Sequence, residues 1–250
     1  MIRKVVVPAA GLGTRLLPIT KELPKEMLPI FTVGKNGGVC LKPMLQAVFE
    51  QLFDVGFREF YFIVGRGKRA IADHFASDNG FLRILRRNGK DDLAKELEDL
   101  YERVGVSSVV FVNQPEPKGF GDAVLRARPF IAEDFLVHAG DTYIISPGHR
   151  HLKRLIEIHE KKKAEATFIV QEVENPRQYG VVEGKEEGKD VYRVIKVVEK
   201  PEKPATNLAI MPMYVFNPVI FKALEVTPPG KGGELQLTDG IQRLIEWGLK

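Results

Sequence analysis

An α/β fold, built on a mixed but mostly parallel sheet with helices on both faces, is what this 250-residue chain predicts. Three observations carry the prediction. Short apolar runs bounded by glycine or polar residues alternate with amphipathic stretches as far as Lys163, the pattern of parallel strands joined by helical crossovers. Beyond Lys163 the pattern turns β-rich, with charged or proline-containing turns. Hydrophobic residues make up 44% and charged residues 28%, the balance of a soluble globular chain long enough for one large core.

The elements follow in order. Val5–Pro8 is a β-branched first strand. Met44–Val55 reads as a helix behind Pro43, where a helix start tolerates proline. Phe60–Val64 is a second strand and Lys68–Phe75 a short helix. In Asp91–Val104, Leu93, Leu97, Leu100 and Val104 recur at helical spacing with charges opposite. Val109–Asn113 is a strand, Asp122–Arg128 a helix, Phe135–Ala139 a strand and His149–Lys163 a helix. Ala166–Val173, Gly180–Glu183, Val191–Val198 and Leu208–Phe216 are strands, with Glu183–Asp190 as a surface hairpin tip. Pro218–Leu224 and Thr238–Trp247 read as helices. The later strands extend the same unit, so residues 1–250 are expected to form one domain.

Composition narrows the function. Basic residues number 37 against 33 acidic, a net charge of +4. That suits an anionic small molecule and is too weak and too interspersed for nucleic acid. Cys40 is the single cysteine, which excludes an intramolecular disulfide framework and fits a reducing cytoplasm. The apolar start is broken by Pro8, Gly11 and Gly13, so it reads as a strand rather than a signal peptide. No segment approaches the roughly 18 consecutive apolar residues of a membrane helix.

The most informative stretch runs from Val5 to Ile30. The first strand feeds a loop containing Gly11 and Gly13, with Arg15 following and Lys25 ten residues beyond it. Glycines let backbone N–H groups approach an anion, and the two cations add mobile charge, so the loop suits a polyphosphate. Ala9 and Ala10 leave room for a flat base. A dinucleotide fingerprint would need a third glycine at position 16, which is Leu. A Walker A loop fails too, because Gly67-Lys68 is followed by Arg69 and its earlier glycine is Phe62. A plain glycine turn with solvated charges is the alternative.

Further candidates sit at strand ends, where open parallel sheets bind ligands. Asp141, after Phe135–Ala139, can hold Mg²⁺ together with substrate phosphates; a turn-capping aspartate is the alternative. Gln114, after Val109–Asn113, offers a donor and an acceptor to an imide edge such as uracil, or is a polar loop residue. In Glu199-Lys200-Pro201 the proline ends strand pairing. Lys200 can then neutralise a phosphate while Glu199 accepts from sugar hydroxyls, unless the two are a solvated pair. Asp239 is expected to cap the last helix. His149, His151 and His159 lack the partners of a zinc set and read as a solvated helix edge.

Pro8–Arg15 with Pro24–Pro29 resembles the sugar-1-phosphate nucleotidyltransferases, in particular the bacterial-type UTP–glucose-1-phosphate uridylyltransferases. Gly65–Ile71, Gln114–Ala123, Gly140-Asp141, Tyr179-Gly180, Glu199-Lys200-Pro201, Asn207–Ile210 and Gly233–Asp239 extend the resemblance in family order. It implies a Rossmann-like, GT-A-like architecture: a nucleotide-binding half over 1–145 and a β-rich sugar-binding half over 146–250. It implies Mg²⁺-dependent transfer of UMP from UTP to glucose 1-phosphate, and a homo-oligomer. Arg15, Lys25 and Lys200 take catalytic roles on this resemblance, and Asp141 holds the metal. Ala9, Ala10, Gly11, Gly13, Thr14, Glu26, Gln114, Gly119, Gly180, Glu199 and Asn207 bind substrate. Where these enzymes usually have a second acidic residue this chain has Thr142. Members of the family usually continue through another strand and helix, so the chain is either a short form or cut short at its C-terminus. Another nucleotide or sugar specificity, a glycosyltransferase on a similar sheet, and a non-catalytic nucleotide-sugar sensor are the competing readings.

Overall fold

The computed structural model describes residues 2–250. Its first strand, β1 (Lys4–Pro8), sets the architecture. Val5, Val6 and Val7 are fully buried, and strand alternation sends Val5 and Val7 into one core layer and Val6 into the other. There follow β2 (Pro29–Val33), β3 (Val39–Pro43), α1 (Met44–Val55), β4 (Glu59–Val64), α2 (Arg69–His74), α3 (Asn79–Arg87), α4 (Asp91–Gly105) and β5 (Ser108–Asn113). After them come α5 (Phe120–Leu125), β6 (Phe135–His138), α6 (Arg150–Lys162), β7 (Ala166–Glu172), β8 (Gly180–Gly188), β9 (Val191–Glu199), β10 (Leu208–Phe216), α7 (Val219–Val226) and α8 (Leu237–Glu246).

Strands β5, β4, β1 and β6 lie side by side in parallel. β10 joins β6 antiparallel, β7 and β8 both pair antiparallel with β10, and β9 pairs antiparallel with β8. Strands β1 and β4 to β8 therefore run one way and β9 and β10 the other, the mixed but mostly parallel sheet expected. One layer packs Val6, Tyr61, Ile63 and Val137 under α5, α7 and α8. The other packs Val5, Val7, Phe60, Phe62 and Leu136 under α1 and α6.

The pairing of β10 shapes the crevice. β7 lies along one of its edges from Leu208 to Phe216. The other edge is shared, with β6 on Met213–Phe216 and β8 at Ala209. β8 therefore continues the column of β6 past its end, and the β8–β9 ribbon overhangs the carboxyl ends of the parallel strands. At about 3.3 Å per residue, the step from Met213 to Ala209 puts this overhang roughly 13 Å beyond His138.

Several expectations are corrected. β8 runs through to Gly188 and the turn is confined to Lys189 and Asp190, so most of Glu183–Asp190 is paired strand rather than hairpin tip. The helix expected over Asp122–Arg128 starts at Phe120 and ends at Leu125. In α4, Leu93 is exposed, and the buried face is carried by Ala94 and Leu100. The β2–β3 hairpin and α3 were not expected. The hairpin forms a separate two-stranded sheet turned at Gly37, whose φ is +76°, and it leaves Phe31, Val33, Val39 and Leu41 exposed. α3 is capped by Asp78, whose side chain accepts from the Phe81 N–H at 2.9 Å. Among the described residues no helix is long and apolar enough to cross a membrane.

Candidate active site

The loop after β1 stays tied to the sheet before it departs. The Ala9 N–H donates to the Ile63 carbonyl at 2.8 Å, and Ala9 and Ala10 are buried. Gly11 and Gly13 then open the chain. A Cβ on Gly11 would stand 3.3 Å from Lys25 Nζ, so the glycine lets that ammonium lie against backbone. Gly13 has φ of +69°, which a side chain would disfavour. Its carbonyl accepts from Thr20 Oγ1 at 2.8 Å and from the Leu16 N–H at 2.9 Å, closing the loop. Thr14 and Arg15 lie in the 3-10 turn Thr14–Leu16 and are exposed.

Lys25 and Asp141 are brought together. Lys25 stands in a 3-10 turn, Lys25–Met27, and Asp141 in the turn after β6, where the Gly140 N–H donates to the Pro8 carbonyl at 3.1 Å. Lys25 Nζ lies 2.5 Å from Asp141 Oδ2. Both side chains are partly exposed, so the pair faces solvent at the carboxyl ends of β1 and β6. Among the described residues no cluster of three or more His, Cys, Asp or Glu side chains gathers for a metal. A lone carboxylate beside a lysine at the strand ends still fits Mg²⁺, which is commonly held by one or two carboxylates together with a substrate's phosphates.

Glu26, expected to bind substrate, is held in a buried ion pair. It is 1% exposed, and its carboxylate accepts from Lys68 Nζ at 2.9 Å. Burial pushes the Glu26 carboxyl up while the Lys68 charge opposes that shift. The pair pins the turn carrying Lys25 to the segment before α2, so Glu26 positions the loop.

At the end of β5, the Gln114 N–H donates to the Val64 carbonyl at 2.8 Å. Its side chain is buried, with Nε2 donating to Asp122 Oδ2 at 2.7 Å and to the Gly119 carbonyl at 3.1 Å. Gly119 has φ of +109°, and a Cβ there would meet the Leu235 carbonyl oxygen at 2.6 Å. Residues 118–121 and Leu235 are stitched by Gly121 N–H to Leu235 O at 2.9 Å and Leu235 N–H to Lys118 O at 2.8 Å.

The overhanging ribbon holds the remaining candidates. Gly180 faces Glu199 in the β8–β9 register, and a Cβ on Gly180 would lie 2.9 Å from Thr238 Oγ1. Thr238 Oγ1 donates to Glu199 Oε2 at 2.7 Å, and Lys200 Nζ lies 3.0 Å from Glu199 Oε1. Lys200 has φ of +42°, a left-handed conformation that costs a non-glycine residue about 1–2 kcal/mol. Its backbone is held by N–H donation to Tyr179 O at 2.9 Å and by Lys231 Nζ donating to its carbonyl at 2.8 Å.

Two groups thus form, Lys25 with Asp141 and Glu199 with Lys200, on the same side of the sheet. Arg15 bonds to neither. Asn207 is exposed at the entry to β10, and its carbonyl accepts from the Val173 N–H at 3.0 Å. Asp239 does not cap α8: the N-cap is Gln236, without a side-chain cap bond. Burial and the nearby Glu199 charge push the Asp239 carboxyl up. His159 is buried against Thr167 Oγ1 at 3.0 Å rather than solvated. Lys68, Asp122 and Thr238 each hold a candidate residue and were not singled out from sequence, although each lies within a segment that carries the resemblance.

Comparison with known proteins shows the family and the fold. The family model described as Nucleotidyl transferase matches residues 4–250. A UTP–glucose-1-phosphate uridylyltransferase of Bacillus subtilis is 40% identical over 252 residues, covering 98% of this chain and 81% of its own. One from Pseudomonas aeruginosa is 36% identical, covering 99% and 86%. Among solved structures, a UDP-glucose pyrophosphorylase complexed with UDP-glucose superposes with a TM-score of 0.83 at 32% identity, over 100% of this chain and 89% of that one. A UTP-bound enzyme of the same kind from Acinetobacter baumannii gives 0.82 at 32% identity, over 98% and 83%.

Proposed function

The chain belongs to the nucleotidyl transferase family, and we propose that it transfers UMP from UTP to α-D-glucose 1-phosphate, releasing pyrophosphate and forming UDP-glucose. The observation that carries this reading is the meeting of Lys25 and Asp141 at the strand ends beneath the ribbon bearing Glu199 and Lys200.

The chemistry asks little covalent work of the protein. An oxygen of the sugar phosphate attacks the α-phosphorus of UTP in line, a P–O bond forms, and the bond to the pyrophosphate oxygen breaks. The attacking oxygen is already anionic, so no general base is needed. The barrier is repulsion between two polyanions and their alignment, which positioning and charge neutralisation lower. Lys25 faces the reacting phosphates, Lys200 holds the sugar phosphate, and Arg15 steadies the β- and γ-phosphates from its exposed turn. Gln114 and the Gly119 backbone take the base, the loop of Ala9, Ala10, Gly11, Gly13 and Thr14 takes the nucleotide, and Gly180, Glu199 and Asn207 take the sugar. Asp141 would hold Mg²⁺, which when bound supplies Lewis-acid charge to the phosphate oxygens.

On this reading 1–145 is the nucleotide half and 146–250 the sugar half of one domain. The family resemblance supports a homo-oligomer, and the single cysteine a cytoplasmic setting. Pyrophosphate release, measured over a panel of nucleoside triphosphates and sugar 1-phosphates with and without Mg²⁺, tests the proposal. UTP with glucose 1-phosphate should dominate and should require the ion. Dominance of another pair would reassign the substrates, and UDP-glucose binding without turnover would make the chain a sensor.

A further inference from the structure

We propose that Asp122 locks the Gln114 carboxamide in one orientation and so makes the base site select an imide edge, as in uracil, over the edge of cytosine. This rests on the reading of Gln114 as the base contact.

The two ends of a carboxamide have nearly the same shape, so its partners decide which end faces where. Gln114 is 4% exposed, and two oxygens meet the same end of it: Asp122 Oδ2 at 2.7 Å and the Gly119 carbonyl at 3.1 Å. A carboxylate and a carbonyl only accept, so the NH₂ group must face them and Oε1 must turn away. Asp122 is itself fixed. Arg126 Nη2 donates to its Oδ1 at 2.8 Å and Arg126 Nε to its Oδ2 at 3.3 Å. Oε1 of Gln114 has no partner among the described residues and is not among the sealed polar atoms, so what the side chain has left to offer is an acceptor. Uracil and thymine present N3–H to an acceptor. Cytosine presents a lone pair there and is repelled.

Asp122→Asn inverts the logic. Arg126, which only donates, keeps its 2.8 Å bond from Nη2 to the asparagine oxygen and gives up the longer 3.3 Å bond from Nε, which leaves the NH₂ facing Gln114. Gln114 then turns Oε1 inward to accept, gives up the Gly119 bond, and presents NH₂ to the base.

The experiment compares kcat/KM for UTP, dTTP and CTP with glucose 1-phosphate in the wild type and in Asp122→Asn. In parallel, calorimetry of UDP-glucose and CDP-glucose reads base choice without turnover. The UTP:CTP and UDP-glucose:CDP-glucose preferences should fall on the order of 10- to 100-fold, while UTP:dTTP stays put because both bases are imides. Equal losses on all three nucleotides, with unchanged preferences, would mean a merely structural Asp122 and overturn the proposal. Asp122→Ala, which frees the amide without inverting it, should lower the preference less and covers the case in which the asparagine variant misfolds. In Gln114→Met the preference should already be lost, with Asp122→Asn or Asp122→Ala adding nothing; additive losses overturn the lock. A wild type that turns over no nucleotide yet prefers UDP-glucose, with that preference lost in the Asp122 variants, refutes the catalytic reading and leaves the lock standing.

Discussion

Lys25 and Asp141, 116 residues apart in the chain, meet at 2.5 Å where β1 and β6 end. Their side chains are 22% and 33% exposed, and a pair so hydrated contributes only about 0–1 kcal/mol to folding. On the proposed reading Lys25 faces the phosphates and Asp141 would hold the metal, and there the same charges are worth far more to a rate. Lys25→Ala and Asp141→Ala should melt close to wild type yet lose on the order of 10²–10³ in turnover. Near-normal pyrophosphate release by either variant would remove the pair from the mechanism.

Glu26 and Lys68 should behave in the opposite way. Both are buried, at 1% and 8% exposure, and removing one partner strands the other's charge. Glu26→Ala should cost about 3–5 kcal/mol in denaturant titration. The double change Glu26→Leu with Lys68→Met should recover most of that stability. A single variant as stable as wild type would show that the pair does not hold the loop.

His138 gives the fold a pH dependence. It is fully buried, and desolvation lowers its imidazole from 6.5 to about 4. The native state therefore refuses a proton that the unfolded chain accepts. Its contribution is complete above the unfolded value near 6.5 and is lost as pH falls toward 4, by about 3 kcal/mol in all. Thermal melts of wild type and His138→Gln across that window should converge at the acid end. Parallel curves would contradict the assignment.

Thr238 offers a test of the sugar site alone. Its hydroxyl holds Glu199 at 2.7 Å and lies beside Gly180. Thr238→Val should raise KM for glucose 1-phosphate roughly 3- to 10-fold, the effect of one hydrogen bond, and leave KM for UTP alone. An equal rise in both would place Thr238 in general packing instead.

Much of this was legible in the sequence because the signals were local. The bounds of α1 and β10 could be read directly, since each is a long patterned run closed by proline or glycine. The strand-end placement of Asp141 and Gln114 followed from the same periodicity. What escaped depends on tertiary partners. Glu26 looks like its charged neighbours until Lys68 arrives from 42 residues away. The β2–β3 hairpin turns its apolar side chains outward, so no burial pattern announces it. α3 does carry apolar residues at helical spacing, with Leu82 and Leu85 buried, but over only nine residues the pattern is easily passed over. The extension of β8 to Gly188 is imposed by pairing with β9 across charged residues that alone suggest a loop.

The divided edge of β10 bears on how such a protein can change. β8 is anchored to β10 at one registered position, Val181 opposite Ala209, whereas Lys25, Asp141 and Gln114 all lie outside the β8–β9 ribbon. On the proposed reading, Glu199 and Gly180 of the sugar site ride on this ribbon while the nucleotide contacts do not. A ribbon transplanted from a relative with another acceptor should retune the sugar only if α8, which holds Glu199 through Thr238, comes with it.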